Sequence, residues 1–428
     1  MSTVVAASAE HRLAARRYEV ERWVAAVAVL LSFTTINLSV ARLTIPTMVV
    51  LALAPVWIGS LRRFSGALPL VWASVAALAA GAAMALLAAP DRDASFTGGL
   101  EVALLLVTTV GRIGVLLWAR TRLSAPTVAI LAGVAMLATV SPDSSLFGSN
   151  PWKFGFALPV TVLSLAIAWR IGRRWLEMVV LTVLAAISAT NDARSGGAIL
   201  GLALLVVAWQ AARSGHAAGD ERARWAGTAI VVAALGWVVY HLVEGLILAG
   251  ALGESTQQRT QAQLEAGGSL LLGGRPELAA TVALMRESPW GFGLGVKPSL
   301  QDILVAKSGM ASINYDPNNG YVETYMLGSG FSLHSIVGDL WANFGGGGVV
   351  LCAVLAWVTF RAVLVRVRLK RASGLVVFLA CSAAWSLGFG PFRSSVLVLA
   401  LLVGLALVPA REHDDARWDR PVDAASDG

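Results

Sequence analysis

Charge is what this chain has least of. Lysine, arginine, aspartate and glutamate make up 14% of its 428 residues, where a soluble domain carries about 25%. Most of the surface is therefore not built to face water. Cysteine is nearly absent. Cys352 and Cys381 each lie inside an apolar run, which excludes a disulfide framework and a zinc site. No internal repeat is visible, and no acidic cluster has clear metal-ligand spacing, so neither a metal nor a cofactor is expected. Barrel strands alternate polar and apolar residues over about ten positions; that alternation is missing too.

What the chain has instead is 57% hydrophobic residues, gathered in runs that recur from Trp23 to Pro409. About 20 consecutive apolar residues cross a bilayer as a helix. The runs predict spans at 23–40, 43–61, 67–89, 100–119, 125–140, 154–169, 175–190, 196–211, 225–249, 343–362, 374–390 and 395–410. The basic stretch HRLAARRYEVER before Trp23 has no small-residue cleavage site soon after it, so the first helix is expected to be retained.

The net charge of +7 is explained by topology rather than by nucleic acid, because the basic residues cluster between apolar runs. With the N-terminus inside, the cytoplasmic segments hold 22 lysines and arginines and the short outer loops hold 5, namely Arg42, Arg92, Lys153, Arg194 and Arg393. Positive charge stays inside, so both termini are expected in the cytoplasm of a cell with this protein in its inner or plasma membrane. Trp23, Trp118, Trp152, Trp175 and Trp225 fall at predicted interfaces, where aromatic anchors sit. The expected organisation is a cytoplasmic tail 1–22, spans one to nine within 23–249, an extracytoplasmic loop 250–342, spans ten to twelve within 343–410 and a cytoplasmic tail 411–428. The fold class expected is an all-α polytopic membrane protein with about twelve transmembrane helices and a large, partly helical outer loop.

Three residues each precede a predicted helix at the outer face. Arg194, in NDARSGGAILG, opens the eighth span; Gly196 and Gly197 allow close approach to the backbone. Helix starts attract anions, and a guanidinium adds a planar fork suited to phosphate. Arg275, in GGRPELAATVALM, stands before Pro276, a residue suited to the first helical turn. His334 leads into the tenth span, and neutral imidazole at a helix start can accept a proton. Each also has a plain reading: an interfacial anchor for Arg194, a solvated loop cation for Arg275, a backbone-bonded imidazole for His334. His241, beside Tyr240 and Glu244, is the competing histidine. Arg112 lies inside the fourth span. Arg393, Arg286 and Asp339 are further candidates to line an anionic substrate site.

These segments, in this order, resemble the O-antigen ligase and polymerase family of lipid-linked glycan transferases. The resemblance is carried by Arg194-Ser195-Gly196 opening a span, and by Arg275 followed by a short helix and Ser288, Pro289, Gly291, Gly293 and Gly295. It is completed by His334 with Gly345 eleven residues on. Ser335 stands where the family often has asparagine, and Asn343 where it often has an acid. The resemblance implies a GT-C-like helical membrane fold and metal-independent, inverting transfer of a glycan from a polyprenyl diphosphate carrier to the hydroxyl of a glycan or glycolipid acceptor. Arg194 and Arg275 would then hold the diphosphate and His334 would deprotonate or orient the acceptor hydroxyl, with Arg286, Arg393 and Asp339 lining the site. Residues 301–333, including Tyr315, Tyr321 and Tyr325, would meet the acceptor. Ligase and polymerase are not separated by these motifs.

A transporter or flippase is the main alternative. Against it, the sixth and seventh spans are joined by RIGRRW alone, where two-halved carriers place a long central segment. Peptidoglycan polymerases depend on an acid in the outer loop, and dolichol-type transferases on acids in a long first outer loop; here that first loop is little more than Arg42.

Overall fold

The computed structural model describes residues 2–36, 43–212 and 275–410, with the isolated positions 227, 230, 231, 233–238, 241, 245, 258 and 261. Apart from those positions, the expected ninth span, the first part of the outer loop and the tail from 411 lie outside the described residues.

The chain is all-α among the described residues, and several of its helices begin where a Ser or Thr hydroxyl accepts from a free N–H group of the first turn. In order the helices are α1 (Ser2–Ser32), α2 (Ile45–Ala52), α3 (Ala54–Leu61), α4 (Ala67–Ala88) and α5 (Phe96–Ala119). Then come α6 (Ala125–Ala138), α7 (Ser145–Ser149), α8 (Ala157–Ile171), α9 (Arg174–Thr190) and α10 (Arg194–Ala212). The second described region holds α11 (Pro276–Glu287), α12 (Leu300–Ala311), α13 (Ile336–Arg368), α14 (Gly374–Phe389) and α15 (Phe392–Ala406). Ser95 caps α5 through Gly98, and Ser335 caps α13 through Gly338.

The expectation of about twelve spans in a GT-C-like arrangement is corrected here. Among the described residues, five helices are long and apolar enough to cross a membrane: Ala67–Ala88, Phe96–Ala119, Trp152–Ile171, Arg194–Ala212 and Ile336–Arg368. The 43–61 run breaks at Leu53, because Pro55 cannot donate the N–H that would continue the helix. Its two pieces of eight residues are each about 12 Å long. Ala125–Ala138, Gly374–Phe389 and Phe392–Ala406 are apolar but short; fourteen residues of helix reach about 21 Å, against a hydrocarbon core of about 30 Å. Helix α13 also begins seven residues before the expected tenth span and bends at Gly345, whose φ of 57° is non-helical.

The five long helices make this a multi-pass membrane protein. Its flanks expose Trp72, Val75, Ile167, Val183, Val350 and Trp357, a surface suited to lipid. Inside, α4 and α13 approach closely through Ala77, Ala80, Gly81 and Gly347, as small residues permit in membrane helix pairs. Several arginines close free helix ends. Arg112 donates to the Ser32 carbonyl that ends α1 at 2.7 Å, which gives this intramembrane cation a structural task. Arg120 donates to the carbonyls of Gly404 and Leu407, and Arg366 to that of Ala406, so three carbonyls at the C-terminus of α15 are met by guanidinium groups.

Residues 275–335 form a small layer with its own core at one end of the helices. Leu284, Phe292, Met310, Met326, Leu333 and Trp341 are buried together there. Arg92, from the α4–α5 connection, grips Asp302 with two bonds of 2.7 and 3.2 Å and lies 5.0 Å over the Phe292 ring. Asp302 also closes a capping box with Ser299. The segment Ser288–Val296 threads between α4 and α13. Phe292 and Gly293 donate to the Ala342 carbonyl beside the bend, Leu294 to Gly81, and Ser95 to the Gly295 carbonyl. Gly291 has φ of 84° and faces Gly345 so closely that a Cβ on it would strike the Trp341 carbonyl. The Gly-x-Gly-x-Gly pattern is thus a packing device that seats the outer layer on the membrane helices.

Candidate functional site

Helix α11 opens with Arg275 as its N-cap and Pro276 in its first turn. The Arg275 guanidinium lies 5.7 Å from the Trp385 ring centroid near the end of α14, held by cation–π attraction. It is partly buried, and among the described residues it has no ion-pair or hydrogen-bond acceptor. By contrast, the partly buried Arg92, Arg120 and Arg174 and the buried Arg366 are each bonded to carboxylate or carbonyl oxygens. A guanidinium with five N–H donors, fixed on an aromatic face and left without an acceptor, is poised for an external anion.

His334 sits between the loop core and the start of α13, half-buried, with φ of 54°. Such a backbone is uncommon for residues with a Cβ, though His, Asn and Asp adopt it more readily than others, and it gathers at functional positions. Its Nδ1 is 3.1 Å from the Ser332 carbonyl oxygen. A carbonyl can only accept, so Nδ1 carries a proton, and in the neutral ring Nε2 then holds the lone pair.

Tyr321 is near both of these residues. Its ring centroid is 6.0 Å from that of His334, and its hydroxyl donates to Glu277 Oε1 at 2.6 Å. Burial and the Glu277 carboxylate push the phenol well above its ordinary pKa, opposed by the nearby positive charge of Arg275. The phenol therefore remains a donor. Arg275, Glu277, Tyr321, His334 and Trp385 lie in one region at the junction of the 275–335 layer and the membrane helices; Tyr321 lies 6.0 Å from the His334 ring and feels the Arg275 charge.

Arg194 is placed at the same end by the helix pattern. Arg174, opening α9, donates to the carbonyls of Ala372 and Lys370 at 2.6 and 2.8 Å, and Glu177 accepts from Gly374 at 3.1 Å. Helices α9 and α14 thus start at one level. With 17 and 16 residues, both rise about 25 Å and end at one level. Helix α10 then turns back along α14, which sets its first residue, Arg194, near the Trp385–Phe389 end. The Arg194 Nε is 3.5 Å from Asp192, whose φ is 50°. The structure shows no contact between Arg194 and Arg275.

Asp339 has a different part. Its Oδ1 accepts the Leu333 N–H at 2.6 Å and its Oδ2 the Phe392 N–H at 2.7 Å. Both oxygens are thus taken by backbone, one bond on the residue before His334 and one on the first residue of α15. Asp339 positions the histidine segment. Asp339→Ala leaves two buried N–H groups without acceptors and is expected to destabilise the protein by about 2–5 kcal/mol. Thermal unfolding of the detergent-solubilised protein, followed by tryptophan fluorescence, checks it; an unchanged midpoint would remove this role.

The remaining candidates have other surroundings. Arg393 pairs with Glu101 at 2.7 Å, its side chain is 64% exposed, and its charge is felt at Asp339. Arg286 is exposed in the last turn of α11, eleven residues and about 16 Å along the helix from Arg275. His241 is exposed and meets the Trp237 ring edge-on at 4.5 Å; Tyr240 and Glu244 lie outside the described residues. Among the described residues no group of three His, Cys, Asp or Glu side chains could hold a metal ion. Sequence reasoning missed Glu277 and Trp385. An acid in the first turn of a helix and a tryptophan near the end of an apolar run both have ordinary explanations; the proximity of Glu277 to Arg275 was the one available signal.

No family model matches the chain, and no curated protein and no solved structure matches it.

Proposed function

We propose that this membrane protein is a glycosyltransferase of the O-antigen ligase or polymerase type. It moves a glycan from a polyprenyl diphosphate carrier to an acceptor sugar hydroxyl on the extracytoplasmic side, with both termini in the cytoplasm. One observation carries the reading. Among the described residues the Arg275 guanidinium has no hydrogen-bond or ion-pair acceptor and His334 Nε2 no partner; the Arg275 charge is felt at Tyr321 and the His334 ring lies 6.0 Å from it, at the boundary between lipid-facing helices and a folded layer. A carrier diphosphate is an anion tied to a lipid tail, so it has to be met at such a boundary. Transfer needs positive charge where the diphosphate leaves and a proton acceptor where the hydroxyl attacks. In this reading the acceptor oxygen bonds to the anomeric carbon, its proton passes to His334 Nε2, and the carbon–oxygen bond to the diphosphate breaks. Arg275, assisted by Arg194 from the same end of the helices, takes the charge, and the anomeric centre inverts.

The test is reconstitution. Proteoliposomes holding the purified protein and the carrier-linked glycan extracted from its native membranes are expected to release free polyprenyl diphosphate as glycan is transferred. Movement of the carrier across the bilayer with no diphosphate released and no product formed would replace this reading with a flippase.

A further inference from the structure

Glu277 is the group in this neighbourhood that the fold leaves half-satisfied. The residue is 7% exposed. Oε1 accepts the Tyr321 hydroxyl at 2.6 Å, a short bond of the charge-assisted kind. Oε2 is buried and has no hydrogen-bond partner among the described residues. Both oxygens of the buried Asp302 and both of the buried Asp339 are bonded; Glu323 shares an unpartnered Oε2 with Glu277, but its side chain is 41% exposed and its other oxygen is held by Lys307. An acid in a first helical turn favours the helix dipole, but that role is met by a carboxylate facing water and does not require burial of a bare oxygen. Leaving a buried acceptor unmet is costly, and it persists in functional sites where an incoming donor completes it.

We infer that Glu277 is a substrate-binding residue whose Oε2 accepts a hydrogen bond from a hydroxyl of the acceptor sugar, with Tyr321 fixing the other oxygen. This rests on the glycosyl-transfer reading above and adds the acceptor's recognition to it. The donor required by Oε2 is a hydroxyl rather than a phosphate, since a phosphate oxygen beside a carboxylate would set two acceptors against each other. Arg275, two residues earlier, offers donors and suits the diphosphate. The first turn of α11 therefore presents one group for each substrate. Tyr325, exposed with its ring centroid 5.5 Å from that of Tyr321, offers an aromatic face to the same sugar.

Two measurements separate this from a structural role. Saturation-transfer NMR with the methyl glycosides of glucose, galactose, mannose and rhamnose is expected to show at least one binding the wild-type protein. That binding should be lost in Glu277→Gln, which keeps the side-chain volume and an oxygen for Tyr321 but puts a donor where Oε2 was. Undecaprenyl diphosphate binding, measured in nanodiscs, should stay within about twofold in Glu277→Gln, while transfer falls about 10- to 100-fold, the loss expected for a hydrogen bond to a charged group. Thermal unfolding of Glu277→Gln should match the wild type. No glycoside binding to the wild-type protein, binding retained in Glu277→Gln, or unimpaired transfer by that variant overturns the assignment. The underlying reading fails separately: it falls if the wild-type protein neither binds undecaprenyl diphosphate nor transfers glycan.

Discussion

Arg275→Ala is expected to lower glycan transfer by about 10²–10³-fold, the usual effect of removing one group that stabilises developing negative charge. The change deletes a cation that no described residue neutralises. It leaves no buried carboxylate orphaned, so the fold has little reason to suffer. Trp385 loses a cation–π partner 5.7 Å away, worth about 0.5–2 kcal/mol. Arg275→Lys is the sharper variant. It retains the charge but not the planar fork or the stacking, and it should recover only a minor part of the activity. Affinity for undecaprenyl diphosphate should fall along with the rate, because the interaction begins in the ground state. Transfer by Arg275→Ala within a few-fold of wild type, at equal membrane content, would remove the diphosphate from this position.

The second large effect belongs to His334. Its loss should cost about 10²–10⁴-fold in transfer, the range for a positioned proton acceptor. His334→Asn is the informative substitution. Asparagine tolerates the left-handed backbone that His334 adopts at φ of 54°, so the approach to α13 and the Asp339 bond to Leu333 should survive. What disappears is the basic nitrogen. Diphosphate binding and thermal midpoint should stay near wild type while product formation collapses, read as labelled glycan joined to acceptor. Substantial turnover by His334→Asn would show that another group takes the proton.

The membrane character of this protein was legible because burying apolar side chains in lipid leaves a direct trace in composition. The number of spans was not. Hydropathy reports what a segment would gain in lipid, not whether its backbone is continuous. Pro55 splits one apolar run, and three more runs make helices too short to span alone. Arg275 and His334 were legible because each borders a helix, a local property. Their nearness to Tyr321 was not, since 44 residues separate Tyr321 from Glu277 and nothing local marks the pairing. Asp339 read as a substrate ligand for the same reason: its acceptor role depends on Phe392, 53 residues later. Arg112, inside an apolar run, read as a charge snorkelling to the inner face rather than a functional one; the structure gives it the Ser32 carbonyl at the end of α1 instead.

The Asp339 bond to Phe392 has a consequence for biosynthesis. Phe392 lies 53 residues after Asp339, so the segment bearing the imidazole is tied down only after α15 has been made. The Arg92 grip on Asp302 bridges an early connection and a late one in the same way. A nascent chain that stops after α10 therefore has neither tie, and the segment bearing His334 gains its second anchor only when α15 is in place.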